Sequence, residues 1–228
     1  MPVLRLLRKP DEALRVSLAR LSAVQDFDAL DLYGRSLPHP FYDRIARFHR
    51  KEDRYRGILG KWLLSRQLVD AGLPFSWIKS LAVNPAGRPF LEGVSGIDFN
   101  VSHSEDVVVC AVALGGRVGI DVEAIRPIDC RGFRSLLPEA LWREAGGGTH
   151  GDASFFRCWT RFESAVKAEG CGLAAPGSQL KFEQRSAWFA GRRWFLHEIN
   201  VAAGYCCHLA SDLADAVPSE PKEYCWKG

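Results

Sequence analysis

The stretch FNVSHSEDVVVCAVALGGRVGIDVEAI, residues 99–125, indicates the fold class of this chain. With the three residues before it, the stretch covers three segments of strand length, 96–102, 107–114 and 117–125, which contain valine and isoleucine. Gly115 and Gly116 separate the last two segments, and a glycine pair between apolar runs predicts a hairpin. The stretch therefore predicts antiparallel strands in the middle of the chain.

Helical patterns precede this stretch, and both helical and strand patterns follow it. Upstream we expect a strand at 3–7 and helices at about 11–24 and 41–71, the second broken near 50–53 and ending at Gly72. Downstream we expect helices at about 138–145 and around WTRFESAVKAEG, residues 159–170, with strands at 180–184, 187–199 and 205–211. Residues 212–228 are expected to form a loose tail.

The order of elements repeats in the two halves of the chain. Helices followed by strands occur twice, and residues 99–114 are faintly echoed by residues 197–211, each a strand, a polar turn and an apolar strand. We therefore predict an α+β fold, a pseudo-twofold pair of similar α/β half-domains with antiparallel sheets that meet along a cleft. The predicted half-domains are residues 1–116 and 117–211, followed by the tail 212–228.

Composition excludes several classes of protein. The chain has 228 residues, 47% of them hydrophobic, which is enough for a large core and argues against disorder. A net charge of +3 is too small to indicate nucleic-acid binding, and the apolar runs are too short to cross a membrane. Seven cysteines without a C-x-x-C pair give no zinc or redox motif. We expect a cytoplasmic protein that binds neither nucleic acid nor membrane.

Two acidic residues share one face of the predicted strand at 117–125. Side chains alternate along a strand, so Asp121 and Glu123 point together while Val118, Ile120 and Val122 point the other way. Like charges at this spacing repel unless a cation or a basic group lies between them. The pair is therefore either a harmless solvent-facing edge or part of a charged site.

The helix at 159–170 presents the same choice. Phe162 belongs to its apolar stripe, while Glu163 sits at the edge of that stripe and Lys167 lies one turn later. Alone, Glu163 and Lys167 would form an ordinary surface ion pair at i and i+4.

Ser102 is the last residue of the strand predicted at 96–102, and His103 follows it directly. Arg88 lies on the turn NPAGRP. A nucleophile with its base is one interpretation, but no G-x-S-x-G motif surrounds Ser102. Acting as hydrogen-bond donors to a phosphate is the less demanding alternative.

The order of these motifs carries more information than any one of them. GRPF (87–90), FNVSHS (99–104), GIDVE (119–123) and W-T-x-x-E-S-x-x-K-A-x-G (159–170) together resemble the 4′-phosphopantetheinyl transferases, in particular their larger surfactin-type branch. The basic stretch ARFHRKEDRYRGILGKWLLSR, residues 46–66, also resembles that branch. The resemblance runs from about residue 41 to 173.

The resemblance implies an enzyme that moves the phosphopantetheine arm of coenzyme A to a serine of an acyl or peptidyl carrier protein. We also expect a monomer, because one chain already contains both similar halves. It implies Mg²⁺, or Mn²⁺ in its place, on Asp121, Glu123 and Glu163, with Glu163 also a candidate base. Asp121, Glu163 and Lys167 are the implied catalytic residues. The implied coenzyme A contacts are Arg44, Arg56, Arg88, Ser102, His103, Asp121 and Lys167.

One position departs from the family pattern. Phe162 stands where the family commonly has a lysine directly before the metal-binding glutamate. This departure motivates an alternative, a non-catalytic member that binds coenzyme A or a carrier protein without turnover.

Overall fold

Two largely antiparallel sheets form the centre of the fold, and a long helix packs on the outer face of each. The computed structural model describes residues 13–146, 152–170, 180–189 and 191–228, so the strand predicted at 3–7 lies outside the described residues. The helices are α1 (Phe27–Arg35), α2 (His39–Ala46), α3 (Lys51–Asp70), α4 (Glu139–Glu144) and α5 (Asp152–Glu169). The strands are β1 (Leu14–Arg20), β2 (Leu81–Val83), β3 (Pro89–Leu91), β4 (Ile97–Ser104), β5 (Val107–Leu114), β6 (Val118–Ala124), β7 (Lys181–Phe182), β8 (Ser186–Phe189), β9 (Arg192–Glu198), β10 (Tyr205–Ser211) and β11 (Lys222–Glu223).

The first sheet has the order β11-β1-β5-β4 and the second has the order β6-β10-β9-β8-β7. All eight residues of β5 are buried, because α3 covers one face of this strand and the second sheet covers the other. Residues of β1, β5, β6 and β10 form the apolar core between the two sheets. On the far side of the second sheet, α5 packs on β6 and β10, and its apolar side also reaches residues of β8 and β9. The predicted pair of α/β half-domains with antiparallel sheets is confirmed.

The chain leaves the first sheet at Gly115 and Gly116, so the hairpin predicted there is wrong. β5 pairs with β1 and β4, whereas β6 pairs with β10 in the other sheet. Gly116 lies so close to Leu213 that a side chain would clash, and Gly115 has a φ of 88°. The glycine pair therefore marks a tight crossing between sheets, and the hairpin of this region joins β4 to β5 through Glu105 and Asp106.

The helix predicted at about residues 11–24 is also wrong, because this segment contains β1. The apolar residues Leu14, Val16 and Leu18 alternate, and the whole strand pairs antiparallel with β5. By contrast, the predicted break between α2 and α3 and the stop at Gly72, where φ is 71°, are confirmed.

Residues 212–228, predicted as a loose tail, instead form a C-terminal strap across the first half-domain. Within the strap, β11 adds to β1 in a parallel pairing. Trp226 is 7% exposed and packs against Tyr33 and Trp62, with ring centroids 5.6 and 5.3 Å away. Its indole donates a hydrogen bond to the Asp26 carbonyl. The strap thus completes the core around α1 and α3. Among the described helices, none combines the length and apolarity needed to span a membrane.

Candidate active site

The carboxylates of Asp121 and Glu123 lie along β6 and are held by serines of β4. The Ser102 hydroxyl donates to Asp121 Oδ1 at 2.9 Å, and the Ser104 hydroxyl donates to Glu123 Oε2 at 2.8 Å. Both carboxylates therefore share one face of β6, as the alternation predicts. Asp121 is buried and Glu123 is partly exposed.

A ladder of side-chain hydrogen bonds joins the edge strands β4 and β6 of the two sheets. Every second residue of β4 accepts a backbone N–H of β6: Asp98 from Val118, Asn100 from Ile120, Ser102 from Val122 and Ser104 from Ala124. These side chains satisfy N–H groups that an unpaired edge strand would otherwise leave open. The ladder therefore sets where the carboxylates of β6 stand relative to β4.

Lys167 of α5 reaches across to this ladder. Its ammonium donates to Asp121 Oδ1 at 2.6 Å and to the Ser102 hydroxyl at 3.0 Å. Burial acts to lower the pKa of Lys167, but the charge and the hydrogen bond of Asp121, together with the charges of Glu163 and Glu123, raise it above the ordinary value. The partner of Lys167 is therefore Asp121, rather than Glu163 one turn earlier on the same helix. Gly119 makes this approach possible, because a Cβ there would collide with Ser164 and Ala168 of α5.

Glu163 lies on α5, close enough to Asp121 and Glu123 of β6 for their charges to affect its pKa. Burial raises the pKa of Glu163 to about 7; Lys167 opposes the rise, while the charges of Asp121 and Glu123 add to it. Asp121 Oδ2 is buried and has no hydrogen-bond partner among the described residues. Three hard oxygen donors with one unpaired buried oxygen fit a Mg²⁺-type cation. In the described ranges, however, no three acidic, histidine or cysteine side chains stand close enough together to hold a metal ion as they are.

Phe162 points away from this cluster into the core of the second half-domain. It is 2% exposed, and its ring lies 5.9 Å from that of Trp159 and 6.4 Å from that of Phe182. The predicted core position of Phe162 is confirmed.

A cavity of about 250 Å³, here called the β4 cavity, lies between α2, α3 and β4. Phe99, Asn100, Val101 and His103 of β4 line it. Because Ser102 faces β6 while His103 faces the cavity, β4 connects the cavity to the carboxylate cluster.

The polar wall of the β4 cavity includes Arg44, Lys61 and His103. Burial lowers the pKa of Lys61 to about 8, with a smaller effect from the nearby Arg44. His103 keeps part of its surface exposed to solvent, but many protein atoms surround its imidazole ring. The resulting loss of hydration, together with the charges of Arg56 and Lys167, lowers the pKa of His103 to about 4. Neutral His103 beside two cations gives the cavity a positive potential suited to phosphate. Sequence reasoning did not single out Lys61, although a lysine inside the apolar run ILGKWLL was a usable signal.

Two of the predicted phosphate contacts are occupied elsewhere. Arg56 donates to the Glu105 carbonyl and pairs with Asp53 at 2.6 Å, and it does not line the β4 cavity. Arg88 is 9% exposed and bonds Asp98 at 2.6 Å and the Val118 and Lys167 carbonyls. This placement makes Arg88 a brace between β4, β6 and α5, with its donors directed at protein acceptors.

Comparisons with known protein families agree with this arrangement of two halves. Residues 28–114 match the family model described as 4′-phosphopantetheinyl transferase, N-terminal. Residues 117–215 match the model described as the 4′-phosphopantetheinyl transferase superfamily.

Three relatives show how far the similarity extends. The chain is 35% identical to the 4′-phosphopantetheinyl transferase gsp of Aneurinibacillus migulanus over 58% of this chain and 55% of the relative. It is 30% identical to a 4′-phosphopantetheinyl transferase of Bacillus subtilis over 59% of this chain and 60% of the relative. It is 31% identical to the 4′-phosphopantetheinyl transferase HetI of Nostoc sp. over 76% of this chain and 80% of the relative. The matched region thus spans less than two thirds of the first two relatives and four fifths of the third.

Proposed function

The chain belongs to the 4′-phosphopantetheinyl transferase superfamily, and on this basis we propose that it transfers the 4′-phosphopantetheine arm of coenzyme A to a serine of an acyl or peptidyl carrier protein. Adenosine 3′,5′-bisphosphate is the product released. The observation that carries the proposal is the convergence of Asp121, Glu163 and Lys167 where β4, β6 and α5 meet, next to a cationic cavity.

The β4 cavity is the proposed site for the phosphate groups of coenzyme A. Arg44 and Lys61 supply positive charge, and neutral His103 supplies an imidazole N–H. Ser102 acts differently in this scheme, because its hydroxyl already bonds Asp121 and Lys167. We assign Ser102 to holding these two side chains.

Asp121, Glu123 and Glu163 would hold Mg²⁺, or Mn²⁺ in its place. When bound, the ion would neutralise charge that develops on the pyrophosphate during displacement. Lys167 contributes a second positive charge at the same position through its contact with Asp121. We assign acceptance of the carrier serine proton to Glu163, directly or through a water, because serine hydroxyls already bond Asp121 and Glu123.

The carrier partner is proposed to belong to fatty-acid, polyketide or peptide synthesis, and the enzyme to act as a monomer in the cytoplasm. The six cysteines in the described ranges are free thiols, which suits a reducing compartment. Phe162 motivated the alternative of a non-catalytic binding protein. Its place in the core means that no side chain from this position extends into the cluster.

A direct test incubates several apo carrier proteins with the purified chain, coenzyme A and Mg²⁺. Mass spectrometry should show a phosphopantetheine adduct on the carrier. Asp121→Asn should remove the adduct while coenzyme A still binds, and Asp129→Asn, an exposed carboxylate in the same half-domain, should behave like the unmodified chain. If no carrier gains mass although coenzyme A binds, the non-catalytic alternative replaces this proposal.

The metal site has its own test in the β4–β6 ladder. Ser104→Ala removes a hydrogen bond to Glu123, whereas Asn100→Ala removes a neighbouring rung that touches no carboxylate. Loss of a residue that orients a metal ligand typically weakens metal binding about 10-fold to 100-fold. Mn²⁺ titration followed by electron paramagnetic resonance should show this loss for Ser104→Ala and little change for Asn100→Ala. Equal affinities in both variants would contradict the assignment of Glu123.

A further inference from the structure

A second cavity, of about 350 Å³, lies on the opposite side of α5 from the candidate active site. We call it the Arg161 cavity. Arg161 and Glu163 are two residues apart, which places them about 200° apart around the helix. The cavity is lined by three arginines and two histidines, namely Arg157, Arg161, Arg185, His197 and His208. It therefore has no lining residue in common with the β4 cavity.

Arg161 is a buried guanidinium whose hydrogen bonding is incomplete. It is 5% exposed; Nη1 donates to Glu144 at 2.5 Å, and Nη2 donates to the Glu183 and Gln184 carbonyls at 2.9 and 3.2 Å. Its Nε has no hydrogen-bond partner in the part of the chain that the structure describes. A buried charged donor left without an acceptor is costly, so an acceptor bound here would stabilise the protein.

The two histidines add further open polar atoms. His197 Nε2 is buried and, within the described residues, has no partner. His208 is 4% exposed, and its Nδ1 lies 2.8 Å from the Thr160 hydroxyl. The Thr160 hydroxyl also lies 2.9 Å from the Phe156 carbonyl, so either this hydroxyl or Nδ1 can be the donor of the contact with His208. The lining therefore offers several open donors beside the carboxylates of Glu144 and Glu198 and the side-chain amide of Gln184.

The charges around the cavity do not balance. Glu144 pairs with Arg161, and the exposed Glu198 lies 3.7 Å from Arg157. Arg185 pairs with no carboxylate in the described ranges, so three guanidinium groups face two carboxylates. Burial, together with the charges of Arg161 and Arg157, lowers the pKa of His208 to about 3, in line with a positive local potential. Arg157 and Arg161 also repel as like charges at i and i+4 on one helix.

We propose that the Arg161 cavity binds a phosphate group, either as inorganic phosphate or as the phosphate of a small monoester. Phosphate oxygens match the planar donor geometry of arginine. A phosphate also carries more acceptor oxygens than a carboxylate ion, so it can satisfy more of the open donors in this lining. The site stands on residues that take no part in the proposed transfer reaction, and it adjoins the carboxylate cluster at His208, which pairs with Asp121 across β10 and β6.

The test measures binding by isothermal titration calorimetry at pH 7 and constant ionic strength, on the full chain. Inorganic phosphate, glycerol 3-phosphate and acetate are titrated separately. Phosphate should bind saturably, and Arg185→Gln, at an exposed position, should weaken that binding about 10-fold or more. All titrations use an Arg44→Gln background, which removes one cation of the β4 cavity, and in that background Arg192→Gln, an exposed arginine outside the Arg161 cavity, should retain phosphate binding.

Each result separates the possibilities. Tighter binding of glycerol 3-phosphate than of phosphate would support a phosphomonoester as the ligand, and the reverse order would support the free ion. Absence of saturable phosphate binding, equal binding of acetate, or full affinity in Arg185→Gln would each overturn the proposal. Because carrier modification is assayed separately, this outcome does not depend on whether the transferase activity is found.

Discussion

Replacing Gly119 by alanine would test how closely β6 must approach α5. A Cβ at this position would come within 3.0 Å of three backbone atoms of the helix, Ser164 O, Ala168 N and Ala168 Cα. The obstructing atoms belong to the backbone, so no side chain can rotate away to make room. The strand and the helix would have to separate by roughly 1 Å to reach ordinary contact distances.

The size of the effect follows from this geometry. Inserting one carbon into a packed core costs about 1–3 kcal/mol, and an immovable backbone neighbour places Gly119→Ala near about 3 kcal/mol. For a chain of this length, that loss lowers the melting temperature by about 6–12 °C. The same separation moves Glu163 and Lys167 of α5 away from Asp121 of β6, so binding of Mn²⁺ should weaken as well.

Differential scanning calorimetry and Mn²⁺ titration would measure the two effects. Two other glycines serve as matched comparisons. Gly132→Ala has open space around its new methyl group and should change little. Gly60→Ala meets only the Val101 side chain, which can move, so its cost should be intermediate. If Gly119→Ala melts at the same temperature as Gly132→Ala and keeps its Mn²⁺ affinity, the reasoning about close approach is refuted.

Three further perturbations test the packing and the titration of buried groups. Trp226→Ala should lose about 3–5 kcal/mol in urea unfolding because the strap completes a core, whereas Trp188→Ala, at a 37% exposed position, should lose much less. Burial favours the neutral form of His208 in the folded state. The contribution of His208 to the free energy of unfolding is therefore fully present above pH 6.5 and falls by on the order of 5 kcal/mol as the pH drops towards 3. A His208→Gln chain should show a flatter pH dependence of the free energy of unfolding in this range. Phe162→Lys should cost a few kcal/mol by burying a charge, whereas Phe162→Leu should cost less; unchanged thermal stability of the lysine variant would show that the position is not core.

Local periodicity was enough to predict several features. Alternation along β6 placed Asp121 and Glu123 on one face, and the 3.6-residue period of α5 placed Phe162 in the core. The break before α3 and its stop at Gly72 also followed from local signals. Such features depend on the backbone geometry of one segment, which the residues of that segment largely determine.

Pairings between distant segments were decided by the tertiary structure. Lys167 could pair with Glu163 four residues away, but α5 packs against β6 closely enough for its ammonium to reach Asp121 instead. Arg88 resembled a phosphate ligand in sequence, yet three chain segments converge on it and take up its donors. A side chain bonds whichever acceptors the packed fold brings to it, and sequence spacing gives no distance between segments far apart in the chain.

The sequence by itself determined the family, the α+β class and the carboxylates of the candidate site, because these rest on motif order and local pattern. Only the tertiary structure showed that β1 and the strap complete the first half-domain, since a strand is stable only with partners that its own residues do not identify. It also showed that Ser104 and Ser102 hold the carboxylates, and that a second polar cavity lies behind α5. Those features exist only where separate elements meet, because burial and unpaired hydrogen bonds are properties of the packed chain.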